Sequence, residues 1–315
     1  MSGHYVAVDL GATKVRVALG SSTRLMTKIS ERTDRNNGAE GVAAQIVRMI
    51  ETLGAEGLES IGVGSIGPLD LVAGCLRNTT NLPFEMIPIV DPLTEAFQVP
   101  VGLLNDCTAA ALGELEFGAG RGLRNLVYVT LSTGLGGGAI VDGHLLIGKD
   151  GNAVEIGHLT INPDSPLVCG CGCKGHWEAH CSGSNIPNFA RALLEGRGED
   201  SLLFELAGGD ASGITAEVLF DAAQRGDSTA LYIVSKIGEM NAIGFADIVN
   251  AYDPELITVG GSIALQNPDL ILKPIVENVG RHLINRMPEI IITPLGEDAV
   301  LYGALAMARG ASIAI

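Results

Sequence analysis

Residues 6–19 read VAVDLGATKVRVAL. Val6 to Asp9 is a short apolar run, Gly11 makes a turn, and Lys14 to Leu19 alternates like the returning strand of a hairpin. The same order of strand, glycine turn and strand recurs at 125–141, where NLVYVTL runs into STGLGGG and then AIV. The recurrence has no fixed period, which predicts a duplicated α/β fold and excludes a solenoid. Outward from the first hairpin, 24–31 reads as a third strand. Residues 38–53 have helical spacing, with Val42, Ile46, Val47 and Ile50 on one face. Strands are expected at 61–66 and 101–104, the second ending in Asn105-Asp106, and 83–97 reads as loop plus helix. An Ala-rich helix follows at 108–117. In the second half, 125–131 is a strand, 132–138 a glycine turn and 139–141 the start of the return strand. Residues 186–249 read as mostly helical, with loops near 196–200 and 208–213. A strand at 256–259 closes in Gly260-Gly261, followed by a helix at 268–284, a strand at 289–293 and a last helix at 299–309. Two lobes are expected: 1–106, with the terminal helix at about 299–315 returning to it, and a larger lobe over 107–298.

Composition agrees with a large buried core. The chain has 315 residues, 47% of them apolar and 18% charged, which suits two folded domains and not disorder. Its 42 glycines fit many turns and close backbone approaches. A net charge of −16 argues against nucleic acid as a partner. No apolar run is long enough to span a bilayer, and the first residues enter a strand at once, so neither a membrane segment nor a signal peptide is expected. Of six cysteines, three crowd at 169, 171 and 173, a spacing that favours metal over disulfides. Cys75, Cys107 and Cys181 read as buried thiols of a reducing compartment, and the protein as cytoplasmic.

Three loops offer phosphate chemistry. Asp9 ends a strand and could hold a Mg²⁺–phosphate through water, while Gly11, Thr13 and Lys14 follow with donors. The same residues also suit a plain β-turn. Ser132, Thr133, Gly134, Gly136 and Gly137 could form an anion nest. They match neither a Walker loop nor a dinucleotide fingerprint; a plain glycine-rich hairpin is the alternative to the nest. Gly260 and Gly261 close a strand before a helix, at the edge where α/β sheets usually take ligands, and could seat an adenosine. Asp106 stands at another strand end as a candidate general base, or as a helix cap.

Residues 169–183 read CGCGCKGHWEAHCSG, shortly after His158. His158, Cys169, Cys171 and His176 supply a two-Cys, two-His set, with Cys173 as an alternative to His176 and His180 as another candidate. Four protein ligands leave no open position, so the zinc would be structural. Glu155, His158 and Glu178 beside it could surround a polyol, accepting from and donating to its hydroxyls.

Together these motifs resemble the ROK family of sugar kinases, with the actin-like/hexokinase (ribonuclease H-like) ATPase fold. The resemblance runs from Asp9 to the terminal ALYGALAMAR. It is most specific at EIGH, 155–158, followed by C-x-C-G-x-x-G-H-x-E at 169–178 and Ser182-Gly183. DLGATK and STGLGGG look like the two phosphate loops, VGGSI like the adenosine motif. The resemblance implies that two lobes close on the sugar and that Asp106 deprotonates its hydroxyl. Asn105, Glu155, His158 and Glu178, with the backbone around Gly64 to Gly67, would bind the sugar. A zinc would be held by His158 and residues 169, 171 and 176, so that His158 serves metal and sugar with different ring nitrogens. ATP, Mg²⁺ and structural Zn²⁺ are the implied cofactors, a hexose such as glucose the implied substrate, and a homodimer the implied assembly. N-acetylmannosamine or N-acetylglucosamine is the alternative substrate, and a non-catalytic sugar-sensing module the alternative class. The chain departs from the family at His176, usually Cys, and at Val154, usually Gly. The helix-turn-helix of the family's repressors is not expected before the first strand.

Overall fold

The computed structural model describes residues 4–54, 56–79, 82–194 and 201–310. The loop expected near 196–200 and the last five residues of the helix expected at 299–315 lie outside them. The chain divides into two compact units. One comprises the described parts of Met1–Tyr128, Gly138–Val154 and Thr293–Ile315, the other those of Val129–Gly137 and Glu155–Ile292.

In the first unit, β1 (His4–Leu10) pairs antiparallel with β2 (Lys14–Gly20), which pairs with β3 (Leu25–Arg32). On its other side β1 runs parallel to β4 (Leu58–Ser65). A separate small sheet holds β5 (Leu69–Asp70), β6 (Cys75–Arg77) and β7 (Met86–Pro88), in the order β5-β6-β7. No strand was expected here, and 83–97, which holds β7, was read as loop plus helix; strands of two or three residues are too short to show a period. Parallel to β4, β8 (Val101–Asn105) completes the main sheet, in the order β3-β2-β1-β4-β8.

The central strands are apolar on both faces because both are covered. Val6, Val8, Leu10, Val15 and Val17 pack with Val42, Ile46, Met49 and Ile50 of the helix Gly38–Leu53. The opposite face is made of small residues. Ala7 and Ala18 pack with Leu301, Ala304 and Leu305 of the terminal helix Ala299–Ala308. That helix approaches so closely that a Cβ on Gly62 would meet the Ala304 carbonyl. The helix Asp106–Glu116 stays in this unit, unlike a division after residue 106. The reason is steric: a Cβ on Gly113 would lie 2.6 Å from the Ala299 carbonyl oxygen, and one on Gly303 would meet the Ala109 carbonyl. Bare backbone on both sides lets the two helices touch along their length.

The second sheet holds β9 (Leu126–Leu131), β10 (Leu135–Val141), β11 (His144–Leu145), β12 (Leu256–Gly260) and β13 (Glu289–Ile292), in the order β11-β10-β9-β12-β13. The return strand therefore begins at Leu135, not Ala139, and Gly136 to Gly138 belong to it. A Cβ on Gly138 would strike the Cys107 carbonyl, so a strand passing this close to a helix start requires glycine there. In the second unit, the helix Ser228–Tyr252 is capped by Asp227, which accepts from Ala230 N at 2.7 Å. It packs on the helix Pro268–Val279, where Gly238 admits Pro274. The expected extension of that second helix to 284 is absent; it ends at Val279. Among the described residues no helix is long and apolar enough to cross a membrane.

Candidate functional site

The predicted site residues fall into two sets, one in each unit. In the first, Asp9 is buried near the end of β1 and lies opposite Arg16 in the antiparallel register. Arg16 donates to Asp9 Oδ2 from Nε at 2.8 Å and again from Nη2. Burial pushes the Asp9 carboxyl above its usual range, and Arg16 opposes that shift. Arg16 was not among the predicted residues. Its signal was a charged side chain between two valines of the strand, at the position that faces Asp9 across the hairpin. Arg16 also reaches Asp298 at 3.4 Å, and Lys28 donates to both Asp298 oxygens.

The Gly11 amide donates to the Lys14 carbonyl at 3.0 Å and closes the hairpin, so it is engaged within the turn. Ala12 and Thr13 donate no backbone hydrogen bond among the described residues. Thr13 and Lys14 are exposed.

At the end of β8, Asn105 caps the following helix. Its Oδ1 accepts from Cys107 N at 2.9 Å and from Thr108 N at 3.2 Å. The helix begins at Asp106 itself, whose Oδ1 accepts from Cys107 N at 2.8 Å. Asn105 is the cap, and the candidate base beside it shares the Cys107 amide with it. Gly67 lies near the Asn105 side chain: a Cβ there would be 3.6 Å from Asn105 Nδ2 and 3.5 Å from Asn152 Oδ1. Asn152, also missed, accepts from Leu69 N at 2.7 Å and donates to Leu69 O at 2.9 Å, which ties down the loop after Gly67.

In the second unit, Ser132, Thr133 and Gly134 form a turn closed by Ser132 N donating to Gly134 O at 3.0 Å. Gly183 N donates to Ser132 O at 2.7 Å and Ser184 N to Thr133 O at 3.1 Å. The Ser132 and Ser262 hydroxyls are 3.1 Å apart. A Cβ on Gly261, whose φ is +86°, would strike the Leu131 carbonyl. The glycine turn, the Gly260-Gly261 motif and the Ser182-Gly183 pair therefore meet at one place. Gly136 and Gly137 are strand residues of β10 and do not extend the turn.

His158, Cys169, Cys171 and His176 bring one ligand atom each to within 4.8 Å of one another. Cys169 Sγ lies 3.5 Å from His158 Nδ1, and Cys171 Sγ 3.4 Å from His176 Nδ1. Adjacent sulfur and nitrogen ligands on a tetrahedral zinc are separated by about 3.6 Å, so the donor set fits that ion. Cys173 is exposed and stands outside this group. His180 is buried with both nitrogens engaged, by the His176 carbonyl and by the Ser165 hydroxyl, each at 2.9 Å. Burial, with His158 beside it, holds His176 below the usual imidazole range. Burial pushes the Cys169 thiol up to about 12.

His158 turns Nδ1 to this cluster and Nε2 towards Glu155 Oε2, 3.9 Å away. Glu178 accepts from Cys169 Sγ at 3.2 Å and from Leu135 N at 3.2 Å. The Cys/His cluster and two carboxylates thus lie together. Burial raises the Glu155 carboxyl, with His158 opposing. Behind them Trp177 is fully buried and donates from Nε1 to Asn241 Oδ1 at 2.8 Å.

The sequence pattern of the ROK family matches residues 5–311. The chain is 40% identical over 307 residues to a glucokinase of Pyrobaculum calidifontis, covering 96% of this chain and 94% of that one. A crystal structure of a ROK family glucokinase from Streptomyces griseus, in complex with glucose and AMPPNP, is similar with a TM-score of 0.82. It is 31% identical, over 98% of this chain and 99% of that one. A ROK hexokinase from Thermus thermophilus gives a TM-score of 0.81 at 34% identity, over 97% and 98% of the two chains. The fold is accordingly the actin-like/hexokinase ATPase fold. Likeness of this extent, running through both units and both sets of site residues, leaves one conclusion: the chain belongs to the ROK family.

Proposed function

We propose that this protein is an ATP-dependent glucokinase that transfers the γ-phosphoryl group to the 6-hydroxyl of glucose. Sugar phosphotransfer follows from the family and its kinase relatives; glucose as acceptor, and the roles below, are the proposal. The observation that carries it is the 40% identity to a glucokinase over nearly the whole chain. Asp106 accepts the proton of the attacking hydroxyl. Asn105, which fixes the start of the Asp106 helix, and the backbone at Gly67 serve the sugar. Glu155, His158 and Glu178 serve its remaining hydroxyls, with His158 using the nitrogen not turned to the cysteines. Asp9, held by Arg16, helps to hold Mg²⁺, and Ala12, Thr13 and Lys14 serve the phosphates with the Ser132–Gly134 turn. Gly260 and Gly261 serve the adenosine. Mg²⁺, when bound, offsets charge on the phosphates. His158, Cys169, Cys171 and His176 would hold a zinc, which supplies a rigid crosslink under Glu178 and no Lewis acidity. The protein acts in the cytoplasm as a homodimer; light scattering should give twice the chain mass of 32.6 kDa.

The test is ATP consumption at fixed Mg²⁺ against glucose, mannose, fructose, glucosamine, N-acetylglucosamine and N-acetylmannosamine. Turnover on glucose well above the N-acetyl sugars is expected. The reverse order would make this an amino-sugar kinase, and turnover on none would favour a sugar sensor.

A further inference from the structure

We infer that Thr33 and Arg35 are positioning residues for the phosphoryl donor: they fix the carbonyls of the first glycine loop so that its amides face the phosphates. The inference rests on the reading of residues 9–14 as a phosphate loop.

Three successive carbonyls of that loop are taken by one short segment after β3. Thr33 Oγ1 donates to Gly11 O at 2.7 Å, Arg35 Nη2 to Ala12 O at 2.9 Å, and Thr33 N to Thr13 O at 3.0 Å. Each peptide unit is planar and trans, so its N–H points opposite to its C=O. Holding the Gly11 carbonyl towards Thr33 turns the Ala12 amide the other way. Holding the Ala12 carbonyl towards Arg35 does the same to the Thr13 amide. These are the two amides of the turn that donate no hydrogen bond among the described residues, while Gly11 N is used up in the hairpin. Adjacent amides aimed to one side form an anion nest. Without the brace the two peptide planes are free to rotate, and carbonyl oxygens would then face the anion.

The segment itself is held. Thr33 is buried. Asp34 N donates to Gln45 Oε1 at 2.9 Å, and the Asp34 carboxylate accepts from Asn36 N at 2.8 Å and Asn37 N at 3.2 Å. Gln45 Nε2 in turn donates to Arg32 O at 2.7 Å. The helix Gly38–Leu53 therefore anchors the brace, and the brace aims the loop.

The experiment compares Thr33→Val, Thr33→Ser and Arg35→Met in the full-length enzyme. The readouts are KM for ATP, KM for sugar, kcat and the melting temperature. Thr33→Val keeps the shape and removes the donor. We expect it to raise KM for ATP about fivefold, the ratio for one lost hydrogen bond, with KM for sugar within twofold. Thr33→Ser should restore the wild-type value, and Arg35→Met should act in the same direction as Thr33→Val. A lowered melting temperature with unchanged KM for ATP in both Thr33→Val and Arg35→Met would mean that the segment is structural only, and would overturn the inference. Ala12→Pro, which deletes one of the aimed amides, separates the two failures. If it raises KM for ATP while the brace variants do not, the loop binds phosphate and the brace is irrelevant. If a folded Ala12→Pro enzyme keeps the wild-type KM for ATP, the phosphate-loop reading fails and the inference with it.

Discussion

Val154 holds a left-handed backbone, φ +64°, a region in which a β-branched residue is strained by about 1–2 kcal/mol. The family resemblance implies glycine at this position, the residue that takes this conformation without strain. Here a buried valine side chain offsets the strain by packing. Val154→Gly should therefore cost less than half the stability lost in Val63→Gly, a buried strand valine with no such strain, when both are compared by chemical denaturation. Equal losses would mean that the strain is not released. For Asp106, the proposed base, Asp106→Asn should keep glucose binding by calorimetry within a few-fold while kcat falls about 10²–10⁴-fold. Near-normal turnover would remove it from that role. At this scale the sequence was legible wherever chemistry is local: the four candidate metal ligands lie within 19 positions of one another, 158–176, and the structure gathers them. Arg16, Thr33, Arg35 and Asn152 escaped because each acts on a partner chosen by strand register or by loop packing. Only Arg16 left a trace, a charge facing Asp9 in the hairpin.

Elements were legible where a period had room to show. The helix Gly38–Leu53 and the strands β1, β2, β8 and β9 stand within a residue or two of their expected bounds. The run at 132–138 was harder, because glycine signals both a turn and a crowded strand. Gly138 is the second kind, pressed on the Cys107 carbonyl. The pair Gly113 and Gly303 makes a sharper test. Gly303→Ala places a methyl group on the Ala109 carbonyl and forces the helix carrying Asp106 away from the terminal helix. It should destabilise by about 1–3 kcal/mol, the usual cost of overpacking, read from the denaturation midpoint. The loop 158–176 has isolated bridges and little regular structure of its own. A bound metal would be its main constraint, so chelation or Cys171→Ser should lower the melting temperature and abolish stoichiometric zinc by elemental analysis. Cys173→Ser should leave the zinc content unchanged.

At the scale of the molecule, division into units was the least legible feature, because each unit is assembled from segments far apart in the chain. One clamp within the first unit shows how they are joined. Glu114, fully buried, accepts from the Thr293 hydroxyl and from Ala119 N at 3.0 Å. Burial pushes its carboxyl above the usual range, against those hydrogen bonds. A folded-state pKa above the unfolded one adds stability that is fully present below the unfolded value and is lost as pH rises through the folded value. Glu114→Gln cannot ionise. Its melting temperature relative to wild type should therefore climb as pH rises from the ordinary glutamate range through the raised folded pKa, then level off. A difference that is flat with pH would place the folded pKa at its ordinary value.

The helix Ala299–Ala308 covers the centre of one face of the first sheet, against Ala7, Ala18 and Gly62, with Ala109 of the helix Asp106–Glu116 beside it over Gly64. Strands β1 to β4 are synthesised first, yet the centre of their second apolar face has no cover until residues 299–308 are made. While the nascent chain is still on the ribosome, the early sheet must wait half-dressed, whereas most of the second unit has already emerged. A stop codon just before residue 299 would thus strip a folding partner from the oldest part of the polypeptide, and the product should be held by chaperones or degraded.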